Sequence, residues 1–469
     1  MNYDIVIKNG KIVKPEGIVD GTVLISRKKI SGIVKNNPHI KGKRVIDADG
    51  CHILPGVIDP HVHLTAGSPL GIQAFSENCK TETRSAVTGG VTTLFHFLRT
   101  PDSYFTVIAD CVDQVMKYSL IDLGFHIMAM NELHIHEIPQ YAQELGINSY
   151  KFLMAYRGDP ESPLKGVDDG LLFEGFRQVA KIKKGIAIVH AENNDIVNRN
   201  IERMKQMDRQ DLKSWNDARP EFCEEEAIRR AMFLAEKANV SLYIPHLSIG
   251  EGVSLIAEKK FKNNPVYVET AAHYLTLNKF FEPSNSAIGK VNPPLRNTED
   301  NKRLWKGLRN GIVDTIGSDH CPYTLQSKGD NLWTAGAGLP GIAMSLPILL
   351  SEGVNKGRIA LEQIARICSL NPSKIFGLFP KKGMIDVGFD ADLVIVDLNK
   401  EVTVRPGILN SISDYTPFDG YKNKGWPIIT IVSGKVIYEN GTIYDDIHRG
   451  RPLIKKWVNK YSGTKSTKY

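Results

Sequence analysis

Cysteine is scarce in this chain: six residues among 469, at positions 51, 79, 111, 223, 321 and 368, with no C-x-x-C pair. So few and so scattered, they argue against a disulfide framework. Long apolar runs are absent as well. None approaches the roughly 18 residues that mark a membrane-spanning helix, so no membrane partner is expected. The opening stretch Met1-Asn2-Tyr3-Asp4-Ile5-Val6-Ile7 has neither the basic region nor the long apolar region of a secretion signal. A cytoplasmic location is the resulting expectation. Charge of one sign is also scarce outside the C-terminus. The net charge is +7, and residues 449–469 alone carry Arg449, Arg451, Lys455, Lys456, Lys460, Lys465 and Lys468 with no acidic residue. Those seven equal the whole excess, so the remainder is balanced and nucleic acid is not an expected partner. A basic tail of this kind is usually solvated or packed on a neighbouring subunit.

What remains is an ordinary globular composition, 42% hydrophobic and 24% charged, in a chain long enough for a large core and two domains. Residues 1–54 hold short β-prone runs (Asp4–Ile7, Lys11–Val13, Thr22–Ile25, Ile30–Val34, Arg44–Ile46) with turn chemistry at Asn9-Gly10 and Asp49-Gly50. The same texture returns in Ala391–Val396 and Ile429–Ile437. The two ends are therefore expected to pair into one small β-sandwich, built from residues 1–54 and 376–445, with 446–469 as a tail. Between them, residues 55–375 alternate strand and helix, the pattern of parallel βαβ units. Eight apolar runs stand out: Ile53–Ile58, Val91–Phe97, Leu123–Met130, Ser149–Met154, Gly185–Val189, Ser241–Ile244, Pro265–Val268 and Val313–Ile316. Their number and spacing predict an α/β fold with a (β/α)8 TIM-like barrel.

The first of these runs leads into Asp59-Pro60-His61-Val62-His63. Strand side chains alternate faces, so His61 and His63 point the same way, about 6.6 Å apart along the strand. Two neutral imidazoles so placed can hold a divalent metal, although a lone His-x-His is more often a half-buried surface strand. The ends of the other runs tip the balance. Lys151 lies within the fourth run, and the fifth is followed by His190-Ala191-Glu192-Asn193. The sixth leads to His246-Leu247-Ser248, the seventh to Glu269-Thr270-Ala271-Ala272-His273, and the eighth to Ser318-Asp319-His320-Cys321-Pro322. Ionisable groups thus gather where barrel enzymes place their chemistry, at the C-terminal ends of strands. His126, His134 and His136 suggest no further ligand set and read as structural or surface residues.

In this order, these landmarks together with Lys151-Phe152-Leu153-Met154-Ala155-Tyr156 resemble the amidohydrolase superfamily, specifically its cyclic amidases: dihydropyrimidinase, hydantoinase, allantoinase and dihydroorotase. The resemblance extends from Asn9-Gly10-Lys11-Ile12-Val13 to the tail. It implies two divalent metals, commonly zinc, at the barrel mouth, one held by His61, His63 and Asp319 and the other by His190 and His246. It implies that Lys151, carboxylated by CO2 or bicarbonate, bridges the two. An unmodified lysine, with a pKa near about 10.4, would set a cation beside two dications, whereas the carbamate is an anion with two oxygens. The reaction so implied is hydrolysis of a ring amide or imide by a hydroxide shared between the metals. Asp319 would act as general base and then acid, and Tyr156 would hydrogen-bond the developing oxyanion. Backbone groups at Asn292 and Ala337 would pair with the substrate amide. Similar proteins are homotetramers or dimers.

Specificity is read from the loops. Dihydroorotases carry an arginine after the second metal histidine, and here the sequence is His63-Leu64-Thr65, which disfavours dihydroorotate. The loop Thr65–Leu70 lacks the acidic, Pro-Gly-containing pattern of allantoinases, although His273 is shared with those relatives. Lys151–Tyr156 and Arg219-Pro220-Glu221 point to the hydantoinase and dihydropyrimidinase branch, while Ala343 stands where that branch usually has glutamate. The expectation is a hydantoinase- or dihydropyrimidinase-like enzyme, with an allantoinase or dihydroorotase as the alternative. A reading from another class is a non-catalytic scaffold related to dihydropyrimidinase. Such proteins lose metal ligands, and all six ligand positions and Tyr156 are intact here.

Overall fold

The computed structural model describes residues 3–37, 39–66, 72–158, 164–260 and 265–454. Five strands open the chain: β1 (Tyr3–Lys14), β2 (Gly17–Ser26), β3 (Lys29–Val34), β4 (Gly42–Asp47) and β5 (His52–Pro55). Eight more follow, β6 (Val57–Val62), β7 (Val91–Leu98), β8 (Asp122–Met128), β9 (Ser149–Leu153), β10 (Ile186–His190), β11 (Ser241–Ile244), β12 (Val266–Thr270) and β13 (Thr315–Ile316). These eight form one parallel sheet in sequence order. A parallel bridge between Val62 and His320 joins its first and last strands, with the His63 amide donating to the His320 carbonyl at 2.8 Å, and so closes the barrel. Helices such as Ile72–Thr88 and Glu221–Ala238 cover its outside, which is why the strands read as continuous apolar runs rather than alternating ones. No described helix is long and apolar enough to cross a membrane.

Seven of the eight expected barrel runs match strands to within two residues. The first does not. Ile53–Ile58 is divided at Gly56, and the halves belong to different sheets. β5 pairs with β1 and with β14 (Leu393–Thr403), whereas β6 pairs with β7. Both halves are buried, so burial periodicity carries no sign of the break. Glycine is needed at the crossing because a Cβ on residue 56 would lie 2.3 Å from the Thr92 hydroxyl.

The chain ends do combine. β14, β15 (Lys422–Val432), β16 (Lys435–Glu439) and β17 (Thr442–Ile443) join β1–β5 in a nine-stranded, mostly antiparallel sheet. Residues from both ends of the sheet, among them Ile7, Val23, Ile25, Ile395, Ile431 and Val436, share one apolar core. The expected sandwich is therefore a single sheet folded over on itself.

The start of the basic tail binds its own barrel rather than projecting away from it. The Leu123 amide donates to the Arg451 carbonyl at 3.0 Å and the Leu453 amide to the Leu123 carbonyl at 2.8 Å. Residues 455–469 of that tail lie outside the described residues. A buried charge cluster fastens this end of the barrel to the sheet. Asp122, at the start of β8, takes Lys382 at 2.8 Å and Arg451 at 2.6 Å. Lys382 also pairs with Asp392, and Asp390 meets Lys29 at 2.6 Å and Arg451 at 2.8 Å. Burial pushes the Asp122 carboxyl up, but Lys382 and Arg451 outweigh it and hold it below the ordinary carboxylate range. Three converging aspartates resemble a cation site, and here protein cations fill it. Removing the central one leaves two buried carboxylates short of a partner, so Lys382→Met is expected to destabilise by about 3–5 kcal/mol. The thermal midpoint should drop by several degrees, and an unchanged midpoint would show that the cluster does not hold the domains together.

Candidate active site

Each polar group of the site sits at or just past the C-terminal end of a barrel strand, where backbone pairing stops and side chains face the mouth. His61 lies on β6 and His63 just beyond it, Lys151 on β9, and His190 at the end of β10. His246 follows β11 by two residues and Asp319 follows β13 by three. All six expected metal ligands are brought together. His61 Nε2 is 3.2 Å from His63 Nε2, 3.1 Å from Asp319 Oδ1 and 3.0 Å from Lys151 Nζ. His190 Nδ1 and His246 Nε2 are 3.0 Å apart.

Behind the imidazoles stand carboxylates that fix which nitrogen faces inward. Glu269 Oε1 is 2.6 Å from His61 Nδ1, while its other oxygen accepts from the Tyr243 hydroxyl at 2.7 Å. Glu192 Oε2 is 2.8 Å from His190 Nε2 and is paired with Arg219 at 2.6 Å. The proton of His61 and that of His190 are thereby held on the outer nitrogen and the inner lone pair is left free. Burial pushes all four imidazoles below their ordinary pKa, and the Lys151 charge acts in the same direction on each. Burial likewise raises the Glu192 carboxyl, but Arg219 and His190 prevail and bring it to about 2. Lys151, enclosed and 4.2 Å from the Phe97 ring centre, is pushed down to about 8 by burial, against the charges of Asp319 and Glu269. Neutral imidazole nitrogens, an amine and a carboxylate, converging with few protons to share, form a donor set that fits divalent metal ions.

Three residues of the site adopt left-handed backbone conformations that non-glycine residues rarely take: Tyr156 (φ 67°), His246 (φ 41°) and Asp319 (φ 49°). Such strain persists only where the surroundings enforce it, and it concentrates at functional sites. The barrel floor supplies part of that enforcement. Asp59 Oδ1 accepts from the His61 amide at 3.1 Å and the Ser318 amide at 3.0 Å, clamping the first strand to the last. Below the ligands Phe376 contacts Phe95, His126 and Tyr243 and fills the interior, so access is from the mouth. His126 bonds Ser149 and the Pro60 carbonyl, His134 bonds the Asp102 carbonyl, and His136 is exposed.

The cleft above the ligands is lined in part by Tyr156, Asn292, Ala337 and Arg99. Asn292 Nδ2 donates to the Tyr156 hydroxyl at 2.8 Å, which leaves the phenolic proton free to donate into the cleft. Burial pushes the Tyr156 pKa up, keeping that proton in place. The loop carrying Ala337 is held by two buried lysines: Lys290 Nζ donates to the carbonyls of Leu332 and Ala335, and Lys328 Nζ to those of Lys290 and Gly338. Sequence reading assigned no role to Glu269, Glu192 or Arg99. The spacing His190-x-Glu192 at a strand end was the available signal for one of them. Arg99 gave none, yet its guanidinium donates to the carbonyl of Thr65, the position at which an arginine was sought.

The amidohydrolase family model matches residues 52–437. The L-hydantoinase of Paenarthrobacter aurescens is 32% identical over 446 residues, covering 94% of this chain and 96% of that protein. The D-hydantoinase of Geobacillus stearothermophilus is 35% identical over 466 residues, covering 97% and 96%. Among solved structures, the L-hydantoinase (dihydropyrimidinase) from Arthrobacter aurescens superposes with a TM-score of 0.88 at 31% identity, over 97% of this chain and 100% of that one. The dihydropyrimidinase from Brevibacillus agri also gives 0.88, at 33% identity over 96% and 98%. A match of this extent, to proteins of the same length and architecture, makes the chain a member of the amidohydrolase family.

Proposed function

We propose that the protein is a metal-dependent hydrolase that opens the ring of a cyclic amide or imide of the hydantoin or dihydropyrimidine type. The observation that carries this reading is the convergence of His61, His63, Lys151, His190, His246 and Asp319 at one barrel mouth, in a chain whose relatives are named hydantoinases. His61, His63 and Asp319 would hold one divalent ion and His190 and His246 the other. Lys151, whose lowered pKa leaves a share of free amine to take up CO2 with loss of a proton, would serve both as its carbamate. When bound, the ions, zinc by resemblance, supply an activated water at neutral pH and polarise the ring carbonyl. Asp319 then takes the proton of the attacking water and passes it to the leaving ring nitrogen. The Tyr156 proton, free of Asn292, meets the negative charge that grows on the carbonyl oxygen. Main-chain groups at Asn292 and Ala337 orient the ring amide.

Lys151→Ala should lose metal and activity together, as measured by metal analysis and turnover, and full occupancy in the variant would overturn the shared-ligand role. Tyr156→Phe should lower kcat by about 100-fold, the usual cost of one oxyanion donor, with metal content intact. Unchanged turnover would remove Tyr156 from the reaction. The reading as a whole is tested with protein reconstituted with zinc and bicarbonate, assayed on dihydrouracil, hydantoin, a 5-substituted hydantoin, allantoin and dihydroorotate. Ring opening of one or more of the first three is the expected result. Failure on all five by protein that binds no metal would favour a non-catalytic scaffold.

A further inference from the structure

Arg99 stands one residue past the end of β7, on the wall of the cleft that holds the metal-ligand cluster. Its side chain is only part-buried, and among the described residues it is a cation without a counter-ion. No carboxylate among the described residues pairs with it, and its one hydrogen bond is from a terminal nitrogen to the Thr65 carbonyl at 3.3 Å. Its Nε is enclosed and has no partner. The groups whose charge states respond to it or act on it are His63, His96, Tyr104, Tyr323 and Cys321, all of them neutral in this setting. Elsewhere in this protein enclosed guanidinium groups are matched: Arg219 by Glu192 at 2.6 Å and Arg296 by Glu224 at 3.0 Å. Arg99 is the exception, and it is the one that lines the cleft.

A guanidinium offers a planar fork of donors that fits a carboxylate with two parallel hydrogen bonds. Nε is enclosed and Thr65 takes only one of the two protons of Nη2, so the edge formed by the two terminal nitrogens remains to serve an incoming anion. Desolvating a substrate carboxylate in the cleft is costly unless such a partner is already in place, and a preorganised cation lowers that cost. We propose that Arg99 is a specificity-determining residue that binds an anionic, carboxylate-bearing substituent on the cyclic amide, so that the preferred substrates carry a side-chain acid on the ring.

This inference rests on the cyclic-amidase reading, and the test separates the two. Zinc- and bicarbonate-reconstituted protein is assayed on hydantoin, hydantoin-5-acetate and hydantoin-5-acetamide, the last two nearly equal in shape and different in charge. The expected result is a higher kcat/KM for the acid than for the amide. Arg99→Gln should reduce that acid-to-amide ratio by about 30-fold or more, the usual effect of removing one partner of an enclosed charge pair. Arg99→Lys, which keeps the charge without the fork, should retain part of the preference, and metal content should be the same in all three proteins. Opening of hydantoin and the amide, with no preference for the acid or a ratio insensitive to Arg99, would overturn the anion site and leave the cyclic-amidase reading standing. Failure to open any of the three, in protein holding two metals per chain, would overturn both.

Discussion

Basic lone pairs held together without protons are the constraint on which this structure turns. Imidazole nitrogens of His61 and His63 lie 3.2 Å apart, and those of His190 and His246 3.0 Å apart, with Asp319 and Lys151 among them. Left alone, such groups would repel, pick up protons or swing out to water. Here the imidazoles are kept neutral by burial, and two of them are kept in place by a rear layer, Glu269 on His61 and Glu192 on His190. That layer is itself anchored, Glu269 by Tyr243 and the His246 amide, Glu192 by Arg219. The arrangement is preorganised for divalent ions, and its geometry does not need the ions to explain how it is assembled.

The two ends of the barrel divide the labour. At the mouth stand unfavourable features, left-handed backbone at Tyr156, His246 and Asp319 and a guanidinium at Arg99 that no described carboxylate meets. At the other end, three carboxylates are matched by three cations in the cluster of Asp122, Asp390 and Asp392 with Lys29, Lys382 and Arg451, which ties barrel, folded-over sheet and the last described residues into one unit. Stability gathered at the bottom allows the top to remain strained, the usual division in this architecture.

Much of this was legible in the amino-acid sequence. The parallel barrel followed from eight apolar runs with helical segments between them, since a strand buried on both faces must be apolar throughout. The gathering of ionisable groups at one mouth followed because a barrel puts consecutive strand ends around one ring; which six of them form the ligand set, His61, His63, Lys151, His190, His246 and Asp319, came from the resemblance to cyclic amidases. Less legible were the features that depend on what packs against a residue. The break at Gly56 is invisible in a continuous apolar run, and only the approach of Thr92 and the pairing of β5 with β14 reveal it. The docking of the first tail residues is not legible either, because charge alone cannot tell solvent from the buried Asp122 that Arg451 meets.

By itself, then, the sequence determined the fold class and the order in which ionisable side chains stand around the mouth, because these follow from local periodicity and residue type, while the choice of ligands among them rested on resemblance. Tertiary structure decided which nitrogen of His61 and of His190 faces inward, because that depends on the carboxylates behind them, Glu269 reaching from β12 to His61 on β6 and Glu192 meeting His190. It also decided that the Tyr156 proton is free, since Asn292, 136 residues away, donates to its oxygen. Arg99 shows the difference most plainly. As a residue type it is an ordinary charge in a loop, and only the fold encloses its Nε beside Thr65 with no acid to meet it.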